Sequence, residues 1–258
     1  MTRMALHQAN YDLRAFFRNR QSQFFTLALP ILFLVIFAAL FGGHGHTTTV
    51  SGGQIDTSVY YVPGIMALGI ISAAFGNLVA SVTTQRERGV LKRRRATPVP
   101  AAAIIAGRVL TSVVVAVVMT AVLLGIGWAA YGATVPGHTA VALAVTVVVG
   151  AAAFCCLGYG LTSLVHNEDA AVPSTQAVLL PLYFISGVFV SVSVLPHWLA
   201  SVGEVFPVRH LADALLTAYN PHTTGMGFAG QDLLVIAAWG VAGLLLAVRK
   251  FSWVPLGR

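Results

Sequence analysis

The sequence predicts an all-α integral membrane protein. It should have six transmembrane helices, an N-terminal interfacial helix, a basic cytoplasmic loop after the second span, and short outer-side helices between the fifth and sixth. Three observations predict this fold. Hydrophobic residues make up 57% of the 258 and charged residues only 9%, whereas a soluble domain is about a quarter charged. So few charges cannot clothe an aqueous surface, and the bilayer is the better solvent. Six apolar runs approach the ~20 residues that cross a hydrocarbon core at ~1.5 Å rise each. Drawn as six crossings, they leave all but one of the 15 lysines and arginines on one side.

The elements follow in chain order, and residues 1–258 read as a single transmembrane domain. Over 3–20, Leu6, Ala9, Leu13, Phe16 and Phe17 form one stripe, with Arg3, Gln8, Arg14 and Arg18 elsewhere. That is the pattern of a helix lying along the inner membrane surface. The first span, 24–41, carries no charge. Its apolar run is too long for a signal peptide, and no clear small-x-small cleavage site follows. The outer loop, 42–58, is rich in Gly, Thr and His with no hydrophobic pattern. His44 and His46 lack further ligands there and are expected in a flexible polar loop rather than a metal site.

The second span, 59–82, runs without an obvious break into a basic segment. Thr97 with Pro98 reads as a helix N-cap and first-turn proline, with Pro100 as an alternative start. The third and fourth spans are 109–131 and 139–165, joined by a short loop. Within the fourth, Cys155 and Cys156 point about 100° apart, poorly placed for a mutual disulfide, and read as small packing residues. The fifth span is 170–195 and the sixth 233–248. Between them, in 196–232, apolar residues recur from Val208 as Leu211, Ala212, Leu215, Leu216 and Tyr219, with Arg209, Asp213 and Thr217 opposite. This is an amphipathic helix. Leu199, Val202 and Phe206 suggest a shorter helix before it. Both are expected at, or dipping into, the outer leaflet. No GxxxG pair is present, but abundant small residues permit close helix packing.

The formal charge of +7 matters through its placement. The N-terminal segment carries Arg3, Arg14, Arg18 and Arg20. The connection after the second span carries Arg86, Arg88, Lys92, Arg93, Arg94, Arg95 and Arg108, and the C-terminus Arg249, Lys250 and Arg258. Arg209 alone falls opposite. The positive-inside rule then puts both termini in the cytoplasm of a multi-pass protein of the cell membrane. Tyr60, Tyr61, Trp128, Tyr131 and Trp198 fall at the predicted outer interface and Trp253 at the inner one, as an aromatic belt requires. Membrane lipid is an expected partner and nucleic acid is not.

Missing chemistry narrows the function. The spans hold essentially no ionisable side chains, unlike proton- or sodium-driven transporters. Asn77 and Gln176 are their most polar mid-span residues and are expected to make helix–helix hydrogen bonds. Leu91 precedes Lys92 and Arg249 precedes Lys250, so no P-loop Gly-Lys is present, and neither Gly-x-Ser-x-Gly nor His-Glu-x-x-His occurs. The chain is therefore not expected to be an enzyme, nor to hold a metal or cofactor. His166, Glu168 and Asp169 cluster between the fourth and fifth spans and read as a solvated cytoplasmic turn.

One segment is distinctive. Arg86, Glu87, Gly89 and Leu91, then a basic stretch, then Ala96, Thr97 and Pro98 resemble the Arg-Glu-x-Gly-x-Leu…Ala-Thr-Pro loop of ABC type-2 transporter permeases, particularly the drug-exporter (daunorubicin-resistance) branch. Arg94 stands where that family usually has leucine and makes this face more basic. Pro181-Leu-Tyr-Phe-Ile-Ser-Gly-Val-Phe189, Leu195-Pro-His-Trp-Leu199 and Phe206-Pro207 resemble the family's fifth span and outer segment. Val190 and Ser191 depart from the proline that often follows there. With the six-span layout, the resemblance covers nearly the whole chain.

The resemblance implies a permease that pairs with an identical or related permease and binds two separate ATPase subunits, which hold the ATP and Mg. Their closure would move substrate outward. It also implies that 83–104, with the N-terminal helix, receives their movement. The coupling surface expected on this basis is Arg86, Glu87, Arg88, Gly89, Leu91, Arg93, Arg95, Thr97 and Pro98. A charged helical protrusion there suits a complementary partner. The expected cargo is hydrophobic or amphipathic, such as a drug, antibiotic or lipid-like molecule. A glycan or lipid-linked polysaccharide is the alternative cargo. A non-transporting anchor or assembly factor is the alternative role.

Overall fold

The computed structural model describes residues 2–41, 47–50, 53–95, 100–131 and 136–252. Helix α1 (Thr2–Arg18) is followed by α2 (Arg20–Gln23), a π turn over Phe24–Ala28 and α3 (Leu29–Phe41), which run on as one rod. Strands β1 (Thr47–Val50) and β2 (Gly53–Asp56) then pair antiparallel, Thr47 facing Asp56 and Val50 facing Gly53. Next come α4 (Thr57–Ile71), a π turn over Ser72–Gly76, α5 (Asn77–Glu87), α6 (Val90–Arg95), α7 (Ala101–Tyr131), α8 (Ala140–Thr162) and α9 (Ala171–Ile185). A 3-10 turn over Val192–Val194 leads to α10 (His197–Gly203), α11 (Pro207–Tyr219) and α12 (Gly230–Lys250).

Among the described residues, four helical stretches are long and apolar enough to cross a membrane: Tyr60–Glu87, Ala102–Ala129, Ala140–Thr162 and Gly230–Lys250. Thr26–Phe37 and Ala171–Ile185 are apolar but shorter. The run expected to cross as 170–195 is thus helical only to Ile185, about 22 Å at 1.5 Å per residue. It stops because Ser186 leaves helical geometry and Gly187 turns to φ +81°, which a side chain disfavours. The chain then folds back. Val188 is fully buried, and a Cβ on Gly64 of α4 would approach its carbonyl to 2.9 Å. Gly203 of α10 lies closer still to the Ile185 carbonyl.

The 42–58 loop corrects an expectation. Its second half is a hairpin, because the β-branched run Thr47–Val50 suits an extended pleat. A Cβ on Gly53 would lie 3.2 Å from the His222 ring, so the hairpin rests on the connection between α11 and α12. His44 and His46 lie outside the described residues.

The α4–α5 rod is the centre of the bundle, with Ile65, Met66, Ile70, Ile71, Leu78 and Val79 enclosed. The amphipathic α11 points its apolar face inward. Leu211, Ala212, Leu215 and Tyr219 are buried, and Leu211 fills the space left by Gly150 of α8. That face covers neighbouring helices rather than lipid. Its polar side holds the Arg209–Asp213 ion pair at 2.6 Å. Helices α8 and α12 meet along small residues: a Cβ on Gly240 would sit 2.8 Å from the Ala153 Cα, and one on Gly243 2.7 Å from the Leu157 Cα. Backbones this close give van der Waals contact that bulkier residues would prevent. One end of the bundle gathers α6 and the ends of α5, α7, α8 and α12: Val82, Leu91, Ile104, Tyr159 and Phe251 border one small cleft there.

Candidate functional site

The bundle end where α5 finishes is built around two arginines, one buried and one half-buried. Arg86, in the last turn of α5, has 0% exposure. Its guanidinium donates from Nη1 to the Thr162 carbonyl at 2.7 Å, and from Nη2 to the Val165 and His166 carbonyls at 2.6 and 3.3 Å. Its Nε donates to Glu87 Oε1 at 3.1 Å. The final carbonyls of a helix have no partner inside it and carry the negative end of its dipole. Arg86 therefore supplies charge and donors to the end of α8, while those carbonyls and Glu87 make its burial tolerable. Breaking such an arrangement from one side costs about 3–5 kcal/mol.

Gly89 follows at φ +70°, and nothing would meet a Cβ there, so backbone conformation alone asks for glycine. Its N–H bonds to the Arg86 carbonyl, and its own carbonyl accepts the Arg93 N–H at 3.2 Å, so α5 closes and α6 opens around this one residue. Leu91, buried, pins α6 to the bundle. Arg88 points outward, its side chain 68% exposed, and meets Glu168 at 3.4 Å. Lys92 and Arg93 are exposed beside it. We call 86–95 the elbow.

The second arginine is Arg108, half-buried on α7. It meets Asp12 of α1 at 3.2 Å, with the Asp12 side chain 4% exposed. Gly107 lets α1 approach: a Cβ there would lie 2.7 Å from Gln8 Cγ, while Thr111 Oγ1 donates to the Ala9 carbonyl at 3.4 Å. Gln23 bonds the Phe16 and Phe17 carbonyls and closes the end of α1. Of the expected apolar stripe, Ala9 and Phe16 are buried and Leu13 half-buried, while Leu6 and Phe17 stay exposed with Met4 and Tyr11. The helix thus uses one face on α7 and offers a second, mixed apolar and basic face outward.

The structure separates the residues that the sequence grouped. Arg88, Lys92 and Arg93 form an exposed basic face, with Glu87 partly exposed beside them. Arg86 and Leu91 belong to the interior, which corrects their assignment to a surface: α8's carbonyls and the bundle's apolar core claim them. Arg94 turns inward, half-buried, to line the small cleft with Gln85, Arg108 and Tyr159; its charge does not simply enlarge the outer basic face. Arg95 ends α6, and nothing is described of its side chain. Thr97 and Pro98 lie outside the described residues.

The 166–169 turn is more than a solvated loop. His166 and Asp169 are exposed, but the His166 carbonyl and the Glu168 carboxylate are held by Arg86 and Arg88. Asn167 accepts from the Ala170 N–H at 2.8 Å, ordering the entry to α9. Asp12 and Lys92 were missed from sequence. Asp12 had one available signal: it is the only acid before Asp56. Asn77 lines a small polar cleft with Ser81, Arg108, Thr111 and Ser112, and Gln176 is exposed on α9. Among the described residues no group of three or more His, Cys, Asp or Glu could hold a metal ion. Among the described residues the site is an arrangement of ion pairs, a buried guanidinium on helix-end carbonyls and an exposed basic face.

The family model for ABC-2 type transporters matches residues 9–219, from α1 through α11. The chain is 30% identical over 196 residues to the daunorubicin resistance ABC transporter permease protein DrrB1 of Streptomyces coeruleorubidus, covering 72% of this chain and 64% of that protein. It is 24% identical over 241 residues to the inner membrane transport permease YadH of Escherichia coli K12, covering 90% of this chain and 88% of that one. The probable multidrug ABC transporter permease YbhR of the same organism is 25% identical over 168 residues, with 64% of this chain and 45% of that protein covered. The chain therefore spans under two thirds of DrrB1 and under half of YbhR. The match from α1 through the elbow to α11 shows that this chain belongs to the ABC-2 type transporter family.

Proposed function

We propose that this chain is the permease half of an ATP-driven exporter that moves a hydrophobic or amphipathic substrate, of the drug, antibiotic or lipid-like class, outward across the cell membrane. ATP and Mg are held by separate ATPase subunits, and the chain works as a pair of permeases. Its four long apolar helices cross the bilayer together with the α2–α3 rod and with α9. Six crossings place both termini in the cytoplasm.

The observation that carries this reading is the family match across 9–219, with a drug-resistance permease among the relatives. The distribution of charge supports it. The elbow's arginines and Arg108 gather at one bundle end, which the end of α12 with Arg249 and Lys250 also reaches, and Arg209 stands apart on α11. By the positive-inside rule that end is cytoplasmic. The exposed Arg88, Lys92 and Arg93 then face the compartment that holds ATPases, where complementary charge speeds and orients docking.

Affinity purification in mild detergent, with mass spectrometry of what accompanies the chain, tests the reading. A P-loop ATPase recovered in near-equal amount, whose hydrolysis the permease alters, supports it. Repeated recovery without an ATPase, under conditions that preserve a known ABC complex, overturns it. Daunorubicin efflux from cells expressing the complex then tests the cargo class.

A further inference from the structure

We propose that Arg86 is a positioning residue that joins the elbow and the α8–α9 turn into one moving body. The inference rests on the exporter reading for its purpose, but its geometry stands on the chain alone. The elbow and the turn are 76–80 residues apart in sequence at the Arg86 contacts. Among the described residues no hydrogen-bonded sheet or shared helix ties them. Beside the packing of α5 on α8 and α9, the buried polar tie between them is one guanidinium, bonded to three carbonyls in the last turn and exit of α8. Glu87 steadies the guanidinium from its own chain, and Arg88 makes an outer contact to Glu168.

The two ties differ in strength for a physical reason. Arg88 and Glu168 are 68% and 40% exposed, and such a surface pair adds little. Arg86 has no solvent to replace a lost partner, so separating the elbow from the turn strands a charge and three carbonyls at once. A push on α6 therefore reaches the base of α8 before it can pull the two apart. From there it continues into α12, because Gly243 and Gly160 hold those two backbones in contact. Gly89 lets α6 take its angle, and Leu91 keeps α6 seated, so the lever has a fixed arm as well as a strut. A planar fork of donors suits this task, and the compact ammonium of lysine would reach fewer carbonyls at once.

Spin labels at Lys92→Cys and Asn167→Cys, both exposed positions, with Cys155 and Cys156 replaced by serine, measure the elbow-to-turn distance. The full chain with its ATPase is compared without nucleotide and trapped with ATP and vanadate. With Arg86 present, one narrow distance distribution is expected in both states. With Arg86→Gln, the distribution should broaden and become nucleotide-dependent, and Arg86→Lys should fall between the two. Permease-dependent ATP hydrolysis should persist in Arg86→Gln while ATP-dependent transport is lost, and a short thiol crosslink between Arg88→Cys and Glu168→Cys should restore the narrow distribution.

A distance that already shifts with ATP in the Arg86 protein overturns the proposal, as does an Arg86→Gln distance that stays narrow and constant. If Arg86→Gln fails to accumulate, the Arg86 protein decides alone, since its distance must not move. Absence of any ATPase partner would sink the exporter reading instead. The permease alone would then still report whether Arg86→Gln frees the elbow from the turn.

Discussion

Gly89 and Asp213 show how single residues carry this fold. At φ +70° Gly89 has open space around it, so Gly89→Ala meets no clash and tests backbone strain alone. A left-handed alanine costs roughly 1–2 kcal/mol, and thermal unfolding in detergent should show that loss. Gly230→Ala, also in open space but without positive φ, should leave the melting temperature unchanged. An equal effect from both would remove the strain account. Asp213 sits on the polar side of α11, where burial pushes its carboxyl above the ordinary range, only partly offset by Arg209. The folded state thus holds this proton more tightly than the unfolded chain. Its stabilising contribution is fully present below the unfolded value and fades as pH rises through the folded one. Asp213→Asn cannot ionise, so its melting temperature should rise relative to the native chain as pH climbs through and above the carboxylate range. A gap that narrows on the same titration would show that Arg209, not burial, dominates.

Among the elements, the α8–α12 pair is the most sensitive to size. Gly243→Ala sets a Cβ 2.7 Å from the Leu157 backbone, and backbone cannot swing aside as a flexible side chain can. The expected loss is about 1–3 kcal/mol from forced separation of the helices. Gly125→Ala on α7, with nothing within 4 Å, should be neutral or slightly favourable. If both substitutions melt alike, contact between α8 and α12 does not set stability. These helices were legible as apolar runs because hydrophobicity is local information. Their close contact was only hinted at by abundant small residues, since which glycines face each other depends on the rotation of both helices. The end of α9 was misjudged for a related reason. Ser186 and Gly187, where the helix stops, lie inside an apolar run, and the packing that holds the chain there, Val188 on Gly64 and Gly203 on Ile185, comes from distant segments. The basic residues of the elbow were legible by type and spacing, but its break at Gly89 was not, since the second span read as running on without interruption. The inward course of Arg86 was not legible either, because its partners lie 76–80 residues further along the chain. A sequence shows that an arginine is present, not which distant carbonyls will claim it.

For the whole molecule, the decisive quantity is which end faces the cytoplasm. The basic elbow lies at one end of the bundle, and the connection between α11 and α12 lies at the other, where His222 touches the hairpin and His138 meets the Thr223 carbonyl. Moving one arginine or lysine through the centre of a bilayer costs about 2.5–3.5 kcal/mol on an insertion scale, so the arginine- and lysine-dense elbow end should not be translocated. Met226, 75% exposed in that far connection, and Lys92 in the elbow therefore make a matched pair of probes. In chains lacking Cys155 and Cys156, Met226→Cys should react with a membrane-impermeant maleimide on intact cells. Lys92→Cys should react only after the cells are opened. The reverse pattern would invert the molecule, put Arg88, Lys92 and Arg93 out of reach of any cytoplasmic ATPase, and dismantle the coupling surface and the exporter reading together. Labelling of both positions on intact cells would mean that the bundle does not separate its two ends across the membrane. The expected pattern would leave Arg88, Lys92 and Arg93 facing the ATP-bearing compartment, which is the condition on which the function of the elbow depends.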